Sequence, residues 1–405
     1  MAVNPSPQVD SPRAWLIVLA AFLGAFVTFG VTYTFGVFLR PLSREFHVSH
    51  ASMTLLFSVI AAISFFVPPF TGELADRYGP RVVVGAGAVL MAISLILAGR
   101  TQSFTGLLLT YGVGFGFASA CVYVPGVSAV GEWFKRRRDI ALGIAISGIG
   151  CGTLVAAPLS AALINRYGWR ASFNIFGWAS GALLLMVAAL LSPPPELREK
   201  AKVAISHKVR TGAFLLLYLG IMLAGMAIFT AFVFIPVFAT EIGLSRVAGA
   251  AVVGYVGAAS VIGRLGLNAL AVRFGLFRMY QIAYAILMAS FALWLIAHSY
   301  LLMVLFGIAM GVGYGGIAAM APAVTAEVFG VEGLGELLGI LFTAFGVASI
   351  VGPPLAGTLM DRTHNYHWPV ALAAAAAVFA LFSSIPLSGF CEREEVEEQR
   401  AAGAA

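Results

Sequence analysis

Charged side chains are scarce in this chain. Asp, Glu, Lys and Arg together make up 10% of its 405 residues, whereas a soluble domain carries about 25%. Apolar, aromatic and cysteine residues make up 60%, and the mean hydropathy is +0.95. A water-soluble globule cannot bury that much apolar surface. The composition therefore excludes a soluble multidomain protein and favours a helical protein that crosses a membrane several times.

Cysteine is also rare, with three residues at scattered positions, which excludes a disulfide framework. The six histidines all fall in predicted loops. The pairs His47-x-x-His50 and His364-x-x-His367 are more simply interpreted as solvated loop side chains than as metal ligands. We therefore expect neither a metal site nor a cofactor.

Twelve apolar stretches are long enough to cross a bilayer, since a spanning helix takes about 20 residues. The widest polar break between them, at 192–211, separates six stretches from six. The sequence thus predicts an all-α membrane protein in which two six-helix bundles, 1–192 and 212–390, are joined by a linker at 193–211 and followed by a tail at 391–405. The predicted spans are 14–38, 51–71, 82–98, 106–130, 140–163, 171–191, 212–239, 248–272, 279–297, 301–325, 337–359 and 370–387.

Basic residues are distributed unevenly over the predicted loops. With the N-terminus inside, sixteen Lys and Arg residues lie on the cytoplasmic side and seven on the outer side. This bias predicts that both termini are cytoplasmic. The net charge of +6 follows from these loops and indicates contact with membrane lipid rather than with nucleic acid. We expect an integral protein of the inner or plasma membrane.

The two halves of the chain repeat each other. The segment 74–79, Leu-Ala-Asp-Arg-Tyr-Gly, is echoed by Leu-Ala-Val-Arg-Phe-Gly at 270–275, and 158–166 is echoed by 354–362. Both pairs are offset by 196 residues. The chain therefore looks like a duplicated six-helix unit with pseudo-two-fold symmetry. Such repeats favour a central site near the midplane that opens alternately to each side.

A signature of a known superfamily lies between the second and third predicted spans. Gly72, Asp76, Arg77, Gly79 and Arg81 match the pattern G-x-x-x-D-R-x-G-x-[RK]. This segment resembles the signature that the major facilitator superfamily carries at the same place. The resemblance implies a transporter of twelve helices in two bundles.

Two further segments resemble signatures of the monocarboxylate transporter family within that superfamily. Asp10, Ala14 and Trp15 precede the first span, and Trp133-Phe134-Lys135-Arg136-Arg137 precedes the small residues of the fifth span. The chain also resembles the related organic-anion transporters of the oxalate–formate type. The family resemblance implies a small monocarboxylate, such as lactate or pyruvate, as substrate and a proton as co-substrate.

Arg264 is the one basic residue that we place deep in a predicted span, and we place no Asp or Glu at such depth. A lone guanidinium in hydrocarbon costs several kcal/mol, unless it faces an aqueous cavity and meets an anion. Its planar fork matches a carboxylate. The alternative is a side chain that extends to the inner interface, but the end of the span is ~12 Å away. The position also resembles that of the helix 8 Arg of the family, which binds the substrate carboxylate.

Two tyrosines are predicted at a depth similar to that of Arg264. Tyr123 lies past the centre of the fourth span and Tyr314 near the centre of the tenth, and both spans run in the same direction as the eighth. The three side chains could therefore form one layer, although each hydroxyl could instead bond a backbone carbonyl. Tyr33 of the first span is a further candidate, which lies ~10 Å from the centre of that span towards the outer surface.

Three more residues complete the candidate site. Cys121, together with Tyr123, falls where members of the family place pocket residues. Ile149 in the fifth span and Phe345 in the eleventh could supply an apolar wall, or could equally be ordinary core residues.

The eleventh predicted span, 337–359, contains no Lys or Arg. Oxalate–formate exchangers carry a Lys there beside the helix 8 Arg, so this chain offers one deep cation where they offer two. One fixed positive charge balances one carboxylate, and a second, uncompensated carboxylate would cost several kcal/mol. The sequence therefore favours a monocarboxylate.

The proton route stays open, because Ser260 stands where animal members of the family carry an Asp, one helical turn before Arg264.

Asp76 and Arg77 are predicted to form a gate on the cytoplasmic side. The carboxylate can accept hydrogen bonds from the N-terminus of a helix in the opposite half and hold that side shut. The alternative is that this loop serves only to orient the protein in the membrane.

The sequence thus predicts alternating-access transport of a small monocarboxylate, coupled to a proton, by a monomer. Exchange of organic anions and efflux of an amphiphile are alternatives, as is a membrane sensor that binds the anion without moving it. An enzyme is disfavoured, because we find no acid, base pair or metal cluster deep in the predicted spans.

Overall fold

The computed structural model describes residues 10–192, 206–330 and 333–389. All regular structure in these ranges is helical. Most of the predicted linker and the whole predicted tail lie outside the described residues. The domain boundaries predicted from the sequence therefore stay predictions.

Within residues 10–192, the chain forms eight α-helices and one π-helical segment, Leu108–Gly114, that joins the sixth helix to the seventh. The helices are α1 (Ala14–Tyr33), α2 (Phe35–Phe46), α3 (His50–Phe66), α4 (Pro68–Tyr78), α5 (Pro80–Ala98), α6 (Phe104–Leu107), α7 (Phe115–Trp133) and α8 (Arg138–Leu190).

Residues 206–330 and 333–389 form seven helices, and short polar residues fix where several of them begin. The side chains of Thr211, Ser245 and Ser299 accept hydrogen bonds from the first turns of the helices that follow them, as N-cap residues do. The helices are α9 (Ser206–Val209), α10 (Gly212–Glu241), α11 (Arg246–Phe274), α12 (Leu276–Leu295), α13 (Tyr300–Phe329), α14 (Leu334–Thr363) and α15 (His367–Ser384).

Within the described residues, ten helical stretches are long and apolar enough to cross a membrane. The pair α3 and α4, bent by 46°, makes an eleventh. The 53-residue α8 breaks at Gly168, whose φ of +79° suits glycine because it lacks a Cβ. Counting the two parts of α8 separately gives the twelve crossings that the sequence predicts, and this count stays a prediction.

The helices run up and down, so the bundle has two ends. We call the end at which α1 and α10 begin the linker face, and the end at which α3 and α11 begin the distal face. The two halves meet mainly where α3 packs on α14 and α8 packs on α11, and α2 also packs on α10. Small residues allow this contact: Gly150 of α8 and Gly257 of α11 face each other so closely that a Cβ on either would clash with the other's carbonyl oxygen. Such close approach through small residues is typical of helices packed in membranes.

Polar contacts join the two halves at the distal face. They are Arg40 Nη2 to Glu241 Oε2 (2.7 Å), Arg246 Nη1 to Asn165 Oδ1 (2.9 Å) and His50 Nδ1 to Asp361 Oδ1 (3.0 Å). At the linker face, by contrast, the end of α11 is open to its surroundings, and Val272 is 92% exposed. The structure is therefore closed at the distal face.

Two glycines of α8 provide a test of the packing in the first half. We expect Gly152→Val to lower the melting temperature of the purified protein, because a Cβ at Gly152 would collide with the carbonyl of Phe26 in α1. Overpacking of this kind costs about 1–3 kcal/mol. The matched control is Gly143→Val on the same helix, where no atom lies within 4 Å of a Cβ. Equal losses in the two variants would contradict the close approach of α1 and α8.

Candidate substrate site

Arg264 is buried between three helices. Its side chain is on α11, and the residue is 5% exposed. Nη1 donates a hydrogen bond to the carbonyl oxygen of Ile146 on α8 at 3.2 Å, and Nη2 donates to the hydroxyl of Tyr314 on α13 at 3.3 Å. The guanidinium therefore points into the bundle and joins the two halves, and it does not extend to the membrane surface.

Glycines bring α13 close enough for this contact. A Cβ at Gly263 of α11 would collide with the carbonyl of Val312, and one at Gly315 of α13 would collide with that of Ser260. The two backbones therefore run side by side at the level of Arg264. This places the ring of Tyr314 beside the guanidinium, whose central carbon lies 5.4 Å from the ring centroid. That distance is within the range of a cation–π interaction.

Only some of the hydrogen-bond donors of the Arg264 guanidinium have a partner. A guanidinium offers five N–H donors, and Arg264 uses two of them, both on neutral acceptors. Its Nε is buried without a hydrogen-bond partner. Among the described residues, no Asp or Glu forms an ion pair with it. A buried charge without a counter-ion is costly, so an anion that reached this position would be strongly favoured.

Aromatic rings pack beside this position, and we call them the aromatic cluster: Phe29, Tyr33, Tyr123, Phe232 and Tyr314. Tyr33 stacks on Phe232 with ring centroids 4.0 Å apart, and Tyr123 packs edge-on against Phe29 at 4.7 Å. Tyr33 also packs on Phe29, and Tyr314 packs on Phe232. The three tyrosines predicted from the sequence therefore belong to one cluster, which contacts Arg264 through Tyr314. Their roles as substrate contacts stay predictions.

The remaining predicted site residues lie at other contacts. Cys121 packs against Gly87 of α5, within its own half. Ile149 is buried in α8, one turn beyond Ile146. Their roles as substrate contacts stay predictions.

Phe345 belongs to a second group of rings where α3, α10 and α14 meet. It stacks on Phe65 of α3 at 5.5 Å and contacts Phe229 of α10 at 6.1 Å. Phe345 thus forms an apolar contact across the halves, and its place in the substrate site also stays a prediction.

Two kinds of site residue were missed by the sequence analysis. The carbonyl of Ile146 accepts from Arg264, but a backbone acceptor has no signature in a sequence. Phe29 and Phe232 stack on the predicted tyrosines. Phe229 and Phe232, three residues apart in α10, give a helical spacing that could have indicated an aromatic face towards the interface.

Asp76 and Arg77 lie exposed near the end of α4 at the linker face. The guanidinium of Arg77 lies over the ring of Tyr78 at 5.3 Å, and α4 packs mainly on α5 and α7 of its own half. The predicted gate between this segment and the opposite half stays a prediction.

The two segments that resemble family signatures meet in space. Asp10, before α1, accepts hydrogen bonds from the backbone N–H groups of Lys135 at 3.3 Å and Arg136 at 3.2 Å. The rings of Trp15 and Phe134 pack edge-on, 5.2 Å apart. The first segment therefore fixes the turn between α7 and α8, and α8 carries the Ile146 carbonyl that meets Arg264.

The chain is similar to solved structures and to known sequences. A bacterial homologue of the human lysosomal transporter Spinster, in an inward-facing and occupied conformation, matches with a TM-score of 0.78 over 95% of this chain and 98% of that one, at 17% identity. This likeness shows the fold. Monocarboxylate transporter 13 of Rattus norvegicus is 28% identical over 92% of this chain and 88% of its own length. Monocarboxylate transporter 3 of the same organism is 29% identical over 92% and 79%.

A model of the Major Facilitator Superfamily matches residues 21–298 and 278–404. It thus covers both halves of the duplicated unit, including the helices that hold Arg264 and its tyrosines. The superfamily consists of membrane transporters, which agrees with the expectation from the sequence that the chain is not an enzyme. The duplicated helical halves, their interface and these matches lead to one conclusion: the chain is an integral membrane transporter that belongs to the Major Facilitator Superfamily.

Proposed function

We propose that this transporter carries a small monocarboxylate, of the lactate or pyruvate type, and that Arg264 binds its carboxylate. The observation that supports this most is the buried guanidinium with an unpartnered Nε and only neutral acceptors around it. A carboxylate accepts two parallel hydrogen bonds from such a fork. The similarity to monocarboxylate transporters of Rattus norvegicus points to the same substrate class.

The charge balance of the site favours a single carboxylate. Arg264 is the only Lys or Arg of the described residues that is buried. One carboxylate neutralises it, whereas a dicarboxylate would leave a second charge without a partner, at a cost of several kcal/mol. The hydroxyls of Tyr33, Tyr123 and Tyr314 could bond the remaining polar group of a hydroxy or keto acid.

Substrate binding can be coupled to the contact between the halves. The hydrogen bond from Arg264 to Ile146 links α11 to α8, a main helix pair between the two halves. A carboxylate that takes over Nη1 and Nε would replace this bond. Binding of the substrate would therefore break one hydrogen bond between the halves close to the site, as alternating access requires.

Proton symport is the coupling that we propose. Within the membrane-spanning part that the structure describes, no buried acid or histidine accompanies Arg264. The proton would therefore travel on the substrate, or on water beside it, and weaken the bond to the guanidinium.

We further propose that the linker face is cytoplasmic, as the distribution of basic residues indicates, and that the transporter acts as a monomer.

Uptake of labelled lactate into proteoliposomes tests the role of Arg264. We expect Arg264→Ala to reduce the initial rate by roughly tenfold or more, because each lost charge-assisted hydrogen bond is worth about 1.5–3 kcal/mol. The control is Arg273→Ala, which removes the same side chain from the linker end of α11. Equal uptake by Arg264→Ala and the wild type would refute the proposed site. If succinate competes and pyruvate does not, the substrate is a dicarboxylate.

A pH gradient across the same vesicles tests the coupling. For symport of one proton with one monocarboxylate, an acidic exterior should drive accumulation of lactate inside, up to about tenfold per pH unit. An ionophore that exchanges K⁺ for H⁺ should abolish the accumulation. If the gradient has no effect and uptake instead requires an organic anion inside the vesicles, the transporter is an exchanger.

A further inference from the structure

Two of the contacts at the distal face are related by the internal repeat. Asp361 lies 196 residues after Asn165, and Arg246 lies 196 residues after His50. In the first contact, Asn165 at the end of one α8 segment accepts a hydrogen bond from Arg246 at the start of α11. In the second, Asp361 near the end of α14 accepts hydrogen bonds from His50 at the start of α3. We call these the Asn165–Arg246 latch and the Asp361–His50 latch. Each joins one half of the transporter to the other.

The Asp361–His50 latch is built around a carboxylate. Oδ1 of Asp361 accepts from the backbone N–H of His50 at 2.9 Å, and Oδ2 accepts from that of Ala51 at 2.8 Å. The imidazole Nδ1 of His50 lies 3.0 Å from Oδ1. The carboxylate thus sits at the N-terminus of α3, where the helix dipole favours negative charge. The side chains of His50 and Asp361 are 27% and 26% exposed, so protons of the distal solution can reach them.

The two latches differ in one chemical property. An amide and a guanidinium keep their charge at every physiological pH. An imidazole gains a proton between about pH 8 and pH 5, and it would then face the carboxylate of Asp361 as a cation. The Asp361–His50 latch therefore changes from a neutral–anion hydrogen bond to an ion pair, while the Asn165–Arg246 latch does not change.

Other charged or titratable side chains lie at the distal ends of the neighbouring elements: Arg40, Arg44 and Glu45 of α2, His47 before α3, Glu241 of α10, Arg362 of α14, His364 after α14, and Tyr366 and His367 at the start of α15. Of these groups, Glu45 is paired with Arg170, and Glu241 with Arg40. Within the described residues, the imidazole of His50 is the titratable side chain that contacts the carboxylate of Asp361.

We propose that His50 and Asp361 form a proton-binding latch, which holds the distal face closed more firmly as the distal solution becomes acidic. The sign follows from the geometry: a proton on the imidazole places a cation 3.0 Å from the carboxylate only when the distal face is closed, so binding the proton favours the closed state. Protonation of the carboxylate would remove the anion and weaken the latch. This site is separate from Arg264, and only its consequence for transport rests on the proposed function.

The latch would affect the direction of the transport cycle. A proton that arrives from an acidic distal solution would stabilise the state that is closed on that side. The transporter would then spend more time open at the linker face. An acidic distal side would thus bias the transporter towards release at the linker face, whichever group carries the coupled proton.

Distances between spin labels test the latch without any substrate. Labels would be attached at Gln102→Cys in the first half and Leu301→Cys in the second, which are both exposed at the distal face and outside the latches. Cys121, Cys151 and Cys391 would be replaced by Ala. In lipid nanodiscs, we expect the ratio of distal-closed to distal-open molecules to rise roughly two- to fivefold between pH 8 and pH 6, the range for a partly exposed ion pair.

Exchanging the latches provides the control. His50→Arg together with Asp361→Asn copies the Asn165–Arg246 latch, and we expect the distal face to close normally but without the pH response. Arg246→His together with Asn165→Asp creates a second proton-binding latch and should increase the response. Melting temperatures establish that the variants are folded.

An unchanged pH response in the His50→Arg/Asp361→Asn variant would overturn the proposal, as would a wild type that shows none. Because the readout uses neither substrate nor Arg264, a negative result here leaves the proposed function standing. Conversely, if the transporter does not carry lactate, the spin-label distances still test the latch.

Discussion

The contact of Arg264 with Ile146 and Tyr314 is the interaction on which the rest of the account depends. It places a permanent positive charge between three helices and gives that charge only neutral partners. Membrane helices rarely contain such a residue, because the uncompensated charge is expensive. In the surrounding structure, glycines let α13 approach α11, and the ring of Tyr314, one of the aromatic cluster, lies beside the guanidinium. The positive charge of such a site has no counter-ion when the site is empty and is neutralised when an anion occupies it.

The position of this contact also relates binding to movement. Arg264 bonds across the α8–α11 pair, and the distal latches join the same two halves at one end of the bundle. The halves are therefore held at two levels, by the hydrogen bond of Arg264 and by the contacts at the distal face. In the proposed function, a substrate replaces only the first. Glycine-to-glycine packing between α8 and α11 lets the helices lie close without large side chains that would lock them together.

Much of this arrangement follows from the sequence, and the failures have physical causes. The apolar stretches predicted the helices well, as with 212–239 and the observed Gly212–Glu241. The first predicted span was 14–38, whereas the helical path continues through α2 to Phe46. Tyr33 therefore lies ~5 Å from the centre of this path, where the predicted span gave ~10 Å. The direction of Cys121 depends on the rotation of α7 about its axis, and the partner at Ile146 is a backbone atom. Neither property is encoded in residue identity.

A structure of the transporter with bound lactate or pyruvate would test the central claim most directly. The account predicts that both carboxylate oxygens lie within hydrogen-bonding distance of Arg264, at about 2.7–2.9 Å, with Nε occupied and the bond to Ile146 broken. A ligand bound elsewhere, with Arg264 still donating to Ile146 and Tyr314, would contradict it.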